Sequence, residues 1–401
     1  MSERMPRIGV AGIHGHGATH VAAALALERE GRAVLAAVSD HRAPGPELAG
    51  IPAYHEASEM IVSEELDVVV LSTPMHTHLP LAEAALATGA HVLLEKPPTP
   101  TLDEFHRLLA AADAAGRAVQ LGFQSLGSSA LPAMRQLVAD GAVGEPVRYG
   151  ALATWVRTEE YWRRTPWAGR RVLDGVPVVD GAVTNPLAHA VATGLAIAGA
   201  TRESDVTGVR LDLYRANDIE ADDTSSLVVD LVGGGSLACA LSLTASQRRE
   251  PCIVVEGTAG RLVLWYTLDV IQRFEPGARF PTTTDHPRRG LLANLIDHVV
   301  DDVPLLVPAA STGAFMRVLE AVRTGAAPTP IDPPFVDRRV GDEGTHRVVR
   351  DLEAWSARVV TEGRTFAELG APWARGAPTP GSRGPSRSGA AHARGVGRAS
   401  S

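Results

Sequence analysis

Residues 7–17 read Arg7-Ile8-Gly9-Val10-Ala11-Gly12-Ile13-His14-Gly15-His16-Gly17, an apolar run broken by a glycine-rich turn, and the helical spacing of Ala18–Glu30 follows at once. Strand, turn and helix in that order are the context that a dinucleotide fingerprint requires. Gly12 and Gly17 permit the tight turn and close helix–strand packing, and the free N–H groups at the helix start suit a pyrophosphate. His14 stands where the usual pattern has its second glycine, with Gly15 beside it to restore close approach. A glycine-rich turn with no ligand is the plainer alternative. Asp40 ends the next apolar run, 28 residues after Gly12, where a carboxylate can accept hydrogen bonds from the ribose hydroxyls of an adenosine. That favours NAD; Arg42 nearby suits a 2'-phosphate and keeps NADP as the second cofactor reading.

Working outward, Val34–Ser39, Val68–Ser72, His91–Leu94 and Val119–Gly122 read as further strands, and Ala57–Ser63, Leu79–Thr88 and Thr101–Ala115 as helices between them. Strands alternating with helices specify parallel βαβ units, an α/β Rossmann domain over residues 1–124. From Gly144-Glu145 onward the apolar runs lengthen (147–156, 206–214, 225–231, 236–243, 253–256 and 261–265). They describe a mostly antiparallel sheet, with Leu291–Val300, Thr312–Arg323 and Gly344–Thr361 as its later helices: an α+β domain for substrate and oligomerisation, residues 125–376. Residues 377–401, rich in Gly, Ser, Pro, Ala and Arg, are expected to be a disordered tail.

A chain of 401 residues with 45% hydrophobic and 21% charged residues fits two globular domains. A net charge of -8 with dispersed basic residues gives no footprint for nucleic acid. No apolar run reaches membrane-spanning length and no signal-peptide core precedes the first strand, so neither membrane nor nucleic acid is an expected partner and a cytoplasmic location is expected. The only cysteines, Cys239 and Cys252, make neither a disulfide framework nor a cysteine-rich metal site. Of 38 basic residues, Lys96 is the only lysine. Arginine keeps its proton in proteins, whereas lysine can be tuned to release it, so Lys96 is singled out for proton transfer. His14, His16, His76 and His78 allow a metal reading, but loops at the carboxyl ends of parallel strands gather polar residues around nucleotides without one, and no metal is expected.

The order of motifs resembles the glucose-fructose oxidoreductase, inositol dehydrogenase and rhizopine catabolism family, Gfo/Idh/MocA, over roughly residues 6–370. The glycine turn, Thr73-Pro74 followed by His78, Glu95-Lys96-Pro97 and Gly144-Glu145 carry the likeness; Met75 departs from it, standing where the family often has asparagine. The resemblance implies cofactor contacts from Gly12, His14, Gly15, Gly17, Asp40, Thr73, Pro74, His78 and Glu95. It puts Lys96 beside the nicotinamide as acid/base. The family's Asp-x-x-x-His pattern aligns with Asn185 and His189, so Asn185 replaces the acid; its alternative reading is a helix N-cap ahead of Pro186. Lys96, His189 and Asn185 are therefore the candidate catalytic residues. Trp162, Arg163 and Trp167, aromatic faces among guanidinium donors, suit hydroxylated or anionic substrates, and Asp180 either binds sugar hydroxyls or pairs with these arginines.

The activity so implied is NAD(P)-dependent oxidation or reduction at a hydroxyl of a sugar, cyclitol or related polyol, in a homo-oligomer formed through the second-domain sheet. Two other classes remain open at this point: net hydrolysis or elimination on a glycoside using NAD transiently, and a non-catalytic sensor of the same fold.

Overall fold

The computed structural model describes residues 4–342 and 344–374; the tail expected to be disordered lies outside them. Strands β1 (Arg7–Ala11), β2 (Val34–Ser39), β3 (Ala53–Tyr54), β4 (Val68–Leu71), β5 (His91–Leu94) and β6 (Val119–Leu121) form one parallel sheet in the order β3-β2-β1-β4-β5-β6. Helices α1 (Gly17–Arg29), α2 (Ala57–Ser63), α3 (His78–Ala87) and α4 (Leu102–Ala115) connect its strands. All four residues of β4 are buried, as expected for a strand covered on both faces. α4 shows how the local sequence sets its bounds. The Thr101 hydroxyl accepts from Glu104 N at the start, Gly116 in the left-handed region ends it, and Leu102, Phe105 and Leu108 between them face the core. The strand order reverses between β1 and β4, so the loops leaving those two strands diverge and open a crevice at the carboxyl edge.

α5 (Ala130–Ala139) leads into the second sheet. Its strands are β7 (Pro146–Thr154), β10 (Val206–Arg215), β11 (Thr224–Leu231), β12 (Ser236–Ser242), β13 (Cys252–Gly257), β14 (Gly260–Trp265), β15 (Val270–Phe274), β16 (Thr282–Asp285) and β17 (Thr329–Pro330), in the order β16-β15-β14-β13-β7-β12-β11-β10-β17. Pairing is antiparallel except for β12 with β7 and β10 with β17. Between β7 and β10 lie a small hairpin, β8 (Val172–Leu173) and β9 (Val176–Pro177), and α6 (Ala188–Ile197). α6 is almost wholly buried and crosses the sheet closely at Gly194, where a Cβ would meet the Leu237 side chain at 2.9 Å. α7 (Leu291–Asp301) returns to the first sheet, where Gln120 Nε2 donates to Leu291 O at 2.6 Å. α8 (Gly313–Thr324) packs beside α6 and β10.

One expectation changes. Residues 344–361 were expected to be one helix, but Gly344–Val349 is β19, paired with β18 (Val336–Gly341), and α9 (Leu352–Glu362) begins only after Asp351 in the left-handed region. Thr345, Val348 and Val349 are β-branched, and the hairpin partner supplies the ladder hydrogen bonds that a short amphipathic pattern leaves undecided. The sheet face bearing Leu152, Tyr214, Val228, Ala238 and Ala240 is covered by α9, α10 (Phe366–Leu369) and Trp373 of this same chain.

Candidate active site

The two sheets meet over a cleft of about 560 Å³ at the carboxyl edge of the first sheet, lined by Thr73, Pro74, His78, Glu95, Lys96, Trp167, Asp180, Asn185 and His189 among others. These come from the loops after β4 and β5, the start of α3, the segment between β7 and α6, and the first turn of α6.

The glycine turn is built for close approach. Gly12 has φ +79°, and a Cβ there would lie 2.4 Å from Ser72 O; one at Gly17 would lie 1.8 Å from Gly12 O. Gly15 has φ +60° with open space around its Cβ position, so backbone rather than side chain faces the crevice there. α1 starts with no side-chain cap, leaving its first N–H groups available to an anion. Asp40 accepts from the amides of Ile13 and Arg42, both at 3.0 Å, and lies 3.0 Å from His14 Nδ1. Burial alone would raise its pKa, but His14 and the two amides hold it below the usual value. Its oxygens retain lone pairs for ribose hydroxyls. A dinucleotide fits this turn on all three counts.

Beyond β5, Glu95 is buried, and its Oε1 accepts from His20 Nε2 at 2.8 Å, His16 Nε2 at 3.2 Å and Gln124 Nε2 at 2.8 Å. Burial would raise its pKa; the hydrogen bonds from the two histidines reverse this and hold it well below the carboxylate range. His16, His20 and Glu95 bring potential ligand atoms within 4.8 Å of one another, yet their hydrogen-bonding demand is met within the cluster. Of the histidines that suggested a metal, His14 faces Asp40, and His78 is buried with its ring nitrogens at carbonyl oxygens. Nε2 lies 2.9 Å from Thr73 O and Nδ1 3.0 Å from both Pro97 O and Pro98 O. His78 thus ties the loop after β4 to the loop carrying Lys96.

Lys96 Nζ donates to Asn185 Oδ1 at 2.8 Å and to Asn185 O at 3.0 Å. Asn185 Nδ2 in turn donates to Asp180 Oδ1, whose other oxygen accepts from Arg164 Nη2 at 3.0 Å and Gly169 N at 2.9 Å. Asp180, expected either to bind sugar hydroxyls or to pair with arginine, is 2% exposed and is the buried partner of Arg164 and Asn185. Asn185 does not cap α6: the cap position is Leu187, without a side-chain bond, and Asn185 lies in the preceding turn. That turn is held by Asp222, whose backbone and carboxylate accept from Ala182 N and Val183 N. A Cβ on Gly181 would fall 1.9 Å from Asp222 Oδ1, so only glycine fits there. Val179, with φ +39°, is a β-branched residue in a region that such residues avoid, immediately before Asp180.

Burial is the main influence on Lys96 and lowers its pKa; Glu95 and Asp180 oppose that shift and Arg164 adds to it. Burial, with Lys96 next, pushes His189 down to about 3, so its imidazole is neutral at ordinary pH. His189 Nδ1 lies 3.3 Å from Ser125 Oγ, and its ring meets Phe123 edge-on.

The segment 159–171 forms the far wall and sends most of its residues to the rear and two into the cleft. Tyr161 and Trp167 face the cleft, together with Trp155 and Arg157, which the sequence did not single out. Trp162 and Arg163, both expected at the substrate, line a separate cavity behind the wall. Gln124 and Ser125 were also missed; no motif or periodicity marks them.

Residues 6–123 match the family described as "Oxidoreductase family, NAD-binding Rossmann fold", and residues 132–263 match the "GFO/IDH/MocA C-terminal domain". Inositol 2-dehydrogenase 4 of Saccharopolyspora erythraea is 35% identical over 153 residues, 37% of this chain and 45% of that protein. The putative UDP-kanosamine synthase oxidoreductase subunit of Amycolatopsis mediterranei is 28% identical over 243 residues, 57% of this chain and 65% of that one. The matched regions thus span less than two thirds of these curated relatives. Among solved structures, the WlbA dehydrogenase of Bordetella pertussis, in complex with NADH and UDP-GlcNAcA, superposes with a TM-score of 0.65 at 22% identity, covering 82% of this chain and 100% of that one. The aldose-aldose oxidoreductase of Caulobacter crescentus gives 0.64 at 19% identity, covering 90% and 99%. At these identities the superpositions establish the shared fold.

Proposed function

Because the chain belongs to the GFO/IDH/MocA oxidoreductase family, we propose that it is an NAD-dependent dehydrogenase or reductase acting on a hydroxyl of a sugar or cyclitol held between its two sheets. The single lysine carries the proposal: Lys96 lies in the cleft wall with two of its hydrogen-bonding positions committed to Asn185. One position remains, a third proton to donate as the ammonium or a lone pair to accept a proton as the amine. NAD, when bound, supplies the hydride acceptor or donor. The N-terminus of α1 would hold the pyrophosphate and Asp40 the adenosine ribose, while Thr73, Pro74 and His78 would border the nicotinamide end.

Lys96 takes the hydroxyl proton during oxidation and returns it during reduction. Burial favours its neutral form, so oxidation should gain rate as pH rises through its lowered pKa. Neutral His189 serves as a hydrogen-bonding partner for the same hydroxyl rather than as an acid, and Trp167 and Tyr161 offer aromatic faces to the sugar ring. The carboxylate of Asp40 disfavours a 2'-phosphate, which makes NADP the weaker cofactor. Relatives named as inositol dehydrogenases and sugar reductases support this substrate class. Neither the transient-NAD hydrolase nor the sensor finds support among them. Self-association, if the enzyme uses it, must avoid the part of the second sheet that α9 covers. A panel of cyclitols, sugars and nucleotide-sugars, followed at the NADH absorbance, tests the proposal; cofactor binding with no turnover on any of them would overturn it.

A further inference from the structure

Behind the cleft wall lies a cavity of about 1020 Å³ that the proposed reaction does not use. It is lined by five arginines, Arg163, Arg170, Arg171, Arg215 and Arg347, against three carboxylates, Glu159, Asp218 and Glu220. Two of those carboxylates are engaged. Glu220 accepts from Arg170 Nη1 at 3.1 Å and from the Arg171 amide at 3.2 Å, and Glu159 takes the Arg338 guanidinium at 3.0 Å and 3.1 Å. Among the described residues, no carboxylate comes within ion-pair distance of Arg163, Arg171, Arg215 or Arg347. Asp218, exposed at the edge, leaves the balance positive.

The buried polar atoms without partners point the same way. Trp162 Nε1, Thr165 Oγ1, Arg171 Nη1 and Arg347 Nε all belong to residues lining this cavity, and all are buried without a hydrogen-bond partner among the described residues. Three of the four can only donate, and Trp162 is 9% exposed. Arg171 Nη2 donates to the carbonyls of Val322, Arg323 and Gly325 and Arg347 Nη1 to Ala216 O, yet a buried donor left unpaired is costly, so the remaining donors, beside guanidiniums with no carboxylate partner, favour a ligand rich in anionic oxygens. A carboxylate offers two oxygens and one charge. A phosphoryl group offers three terminal oxygens, up to two charges and the geometry that guanidinium forks match. Ile219, Pro166 and Pro328 add apolar surface for the remainder of such a molecule.

We propose that this cavity is a second ligand site, for a small phosphoryl-bearing anion, distinct from the dinucleotide crevice. It shares a wall with the cleft. Arg164 stacks on Tyr161 at 3.7 Å and on Trp167 at 4.8 Å while bonding Asp180, so ordering residues 162–165 from behind also orders the residues that face Lys96.

The site can be tested on the full chain by calorimetric titration with inorganic pyrophosphate at constant ionic strength, with and without saturating NADH. The expected result is one saturable site that persists in NADH, weakened roughly tenfold or more in Arg163→Gln/Arg215→Gln and unchanged in the distant surface control Arg279→Gln. Binding that NADH abolishes would assign the anion to the start of α1 and overturn the proposal. So would an unaffected double variant, or the absence of saturable binding. Citrate binding as tightly as pyrophosphate would overturn the phosphoryl assignment. Circular dichroism checks the fold; should the double variant not fold, the single Arg163→Gln, at an exposed position, decides by the same criterion.

Discussion

Asp180→Asn is the perturbation that asks most of the proposed site. Asp180 is 2% exposed and accepts three hydrogen bonds, from Arg164 Nη2, Gly169 N and Asn185 Nδ2. An asparagine keeps the volume but has one oxygen and an amide, so at least one of these donors must face another donor. Losing a charge-assisted bond and leaving a buried donor unpaired costs about 2–4 kcal/mol, taken toward the low end because Arg164 is partly exposed and can turn to water. For a chain of 401 residues that corresponds to a fall in Tm of roughly 2–5 °C, measured by calorimetry. The catalytic consequence has a definite sign. The Asp180 charge favours the ammonium form of Lys96, and Arg164, freed of its partner, opposes it. Both changes lower the Lys96 pKa, so the rise of kcat/KM with pH for alcohol oxidation should move to lower pH. Steady-state rates across pH on an identified substrate, with the wild type alongside, provide the assay. An inflection that stays in place or moves upward, in a variant that is measurably less stable, would show that Asp180 is a structural ion-pair partner with no electrical influence on Lys96.

Lys96→Arg should keep the fold and the positive charge yet lower turnover by ~10²–10⁴-fold, because arginine cannot exchange the proton; near-normal rates would exclude proton transfer by Lys96. His189→Ala should impair turnover while leaving NAD affinity nearly unchanged in a calorimetric titration, and a parallel loss of both would place His189 on the cofactor side or in the core. NAD should bind more tightly than NADP because Asp40 would face the 2'-phosphate with like charge, and equal affinities would mean that Arg42, 3.8 Å from Asp40 through its Nε, governs that pocket.

Where function sits on regular elements, the chain announces it. The run from Arg7 to Gly17 and the short apolar strands after it specify a parallel sheet through local periodicity, Asp40 follows from its place at a strand end, and Lys96 stands out as the one lysine of the chain. The helix–strand ambiguity of short runs accounts for the misread Gly344–Val349, whose state is decided by a partner strand. The wall at 159–171 is harder still. Apart from one 3-10 turn at Tyr161–Arg163 it is irregular, so no period tells Trp167, which lines the cleft, from Trp162, which lines the rear cavity. Gln124 and Ser125 are visible only once distant loops are brought together.

The asparagine at position 185 illustrates the same limit in the chemistry. In sequence it looks like the loss of an acid, since an amide cannot set the basicity of a neighbouring lysine as a carboxylate does. In space the acid is displaced by one hydrogen bond: the amide oxygen of Asn185 meets Lys96, and its amide nitrogen meets the buried carboxylate of Asp180. An amide between a carboxylate and an amine orients both, because its two ends are chemically distinct. The oxygen can only accept, from Lys96, and the nitrogen can only donate, to Asp180. Asn185 therefore fixes the direction in which Lys96 presents its remaining position, while Asp180 supplies the charge from a site where Arg164 partly balances it. The strained Val179 and the obligatory Gly181 on either side of Asp180 hold that carboxylate in place. Five residues upstream of the aligned position, the buried carboxylate of Asp180 thus stands one hydrogen bond away from the lysine's amide partner.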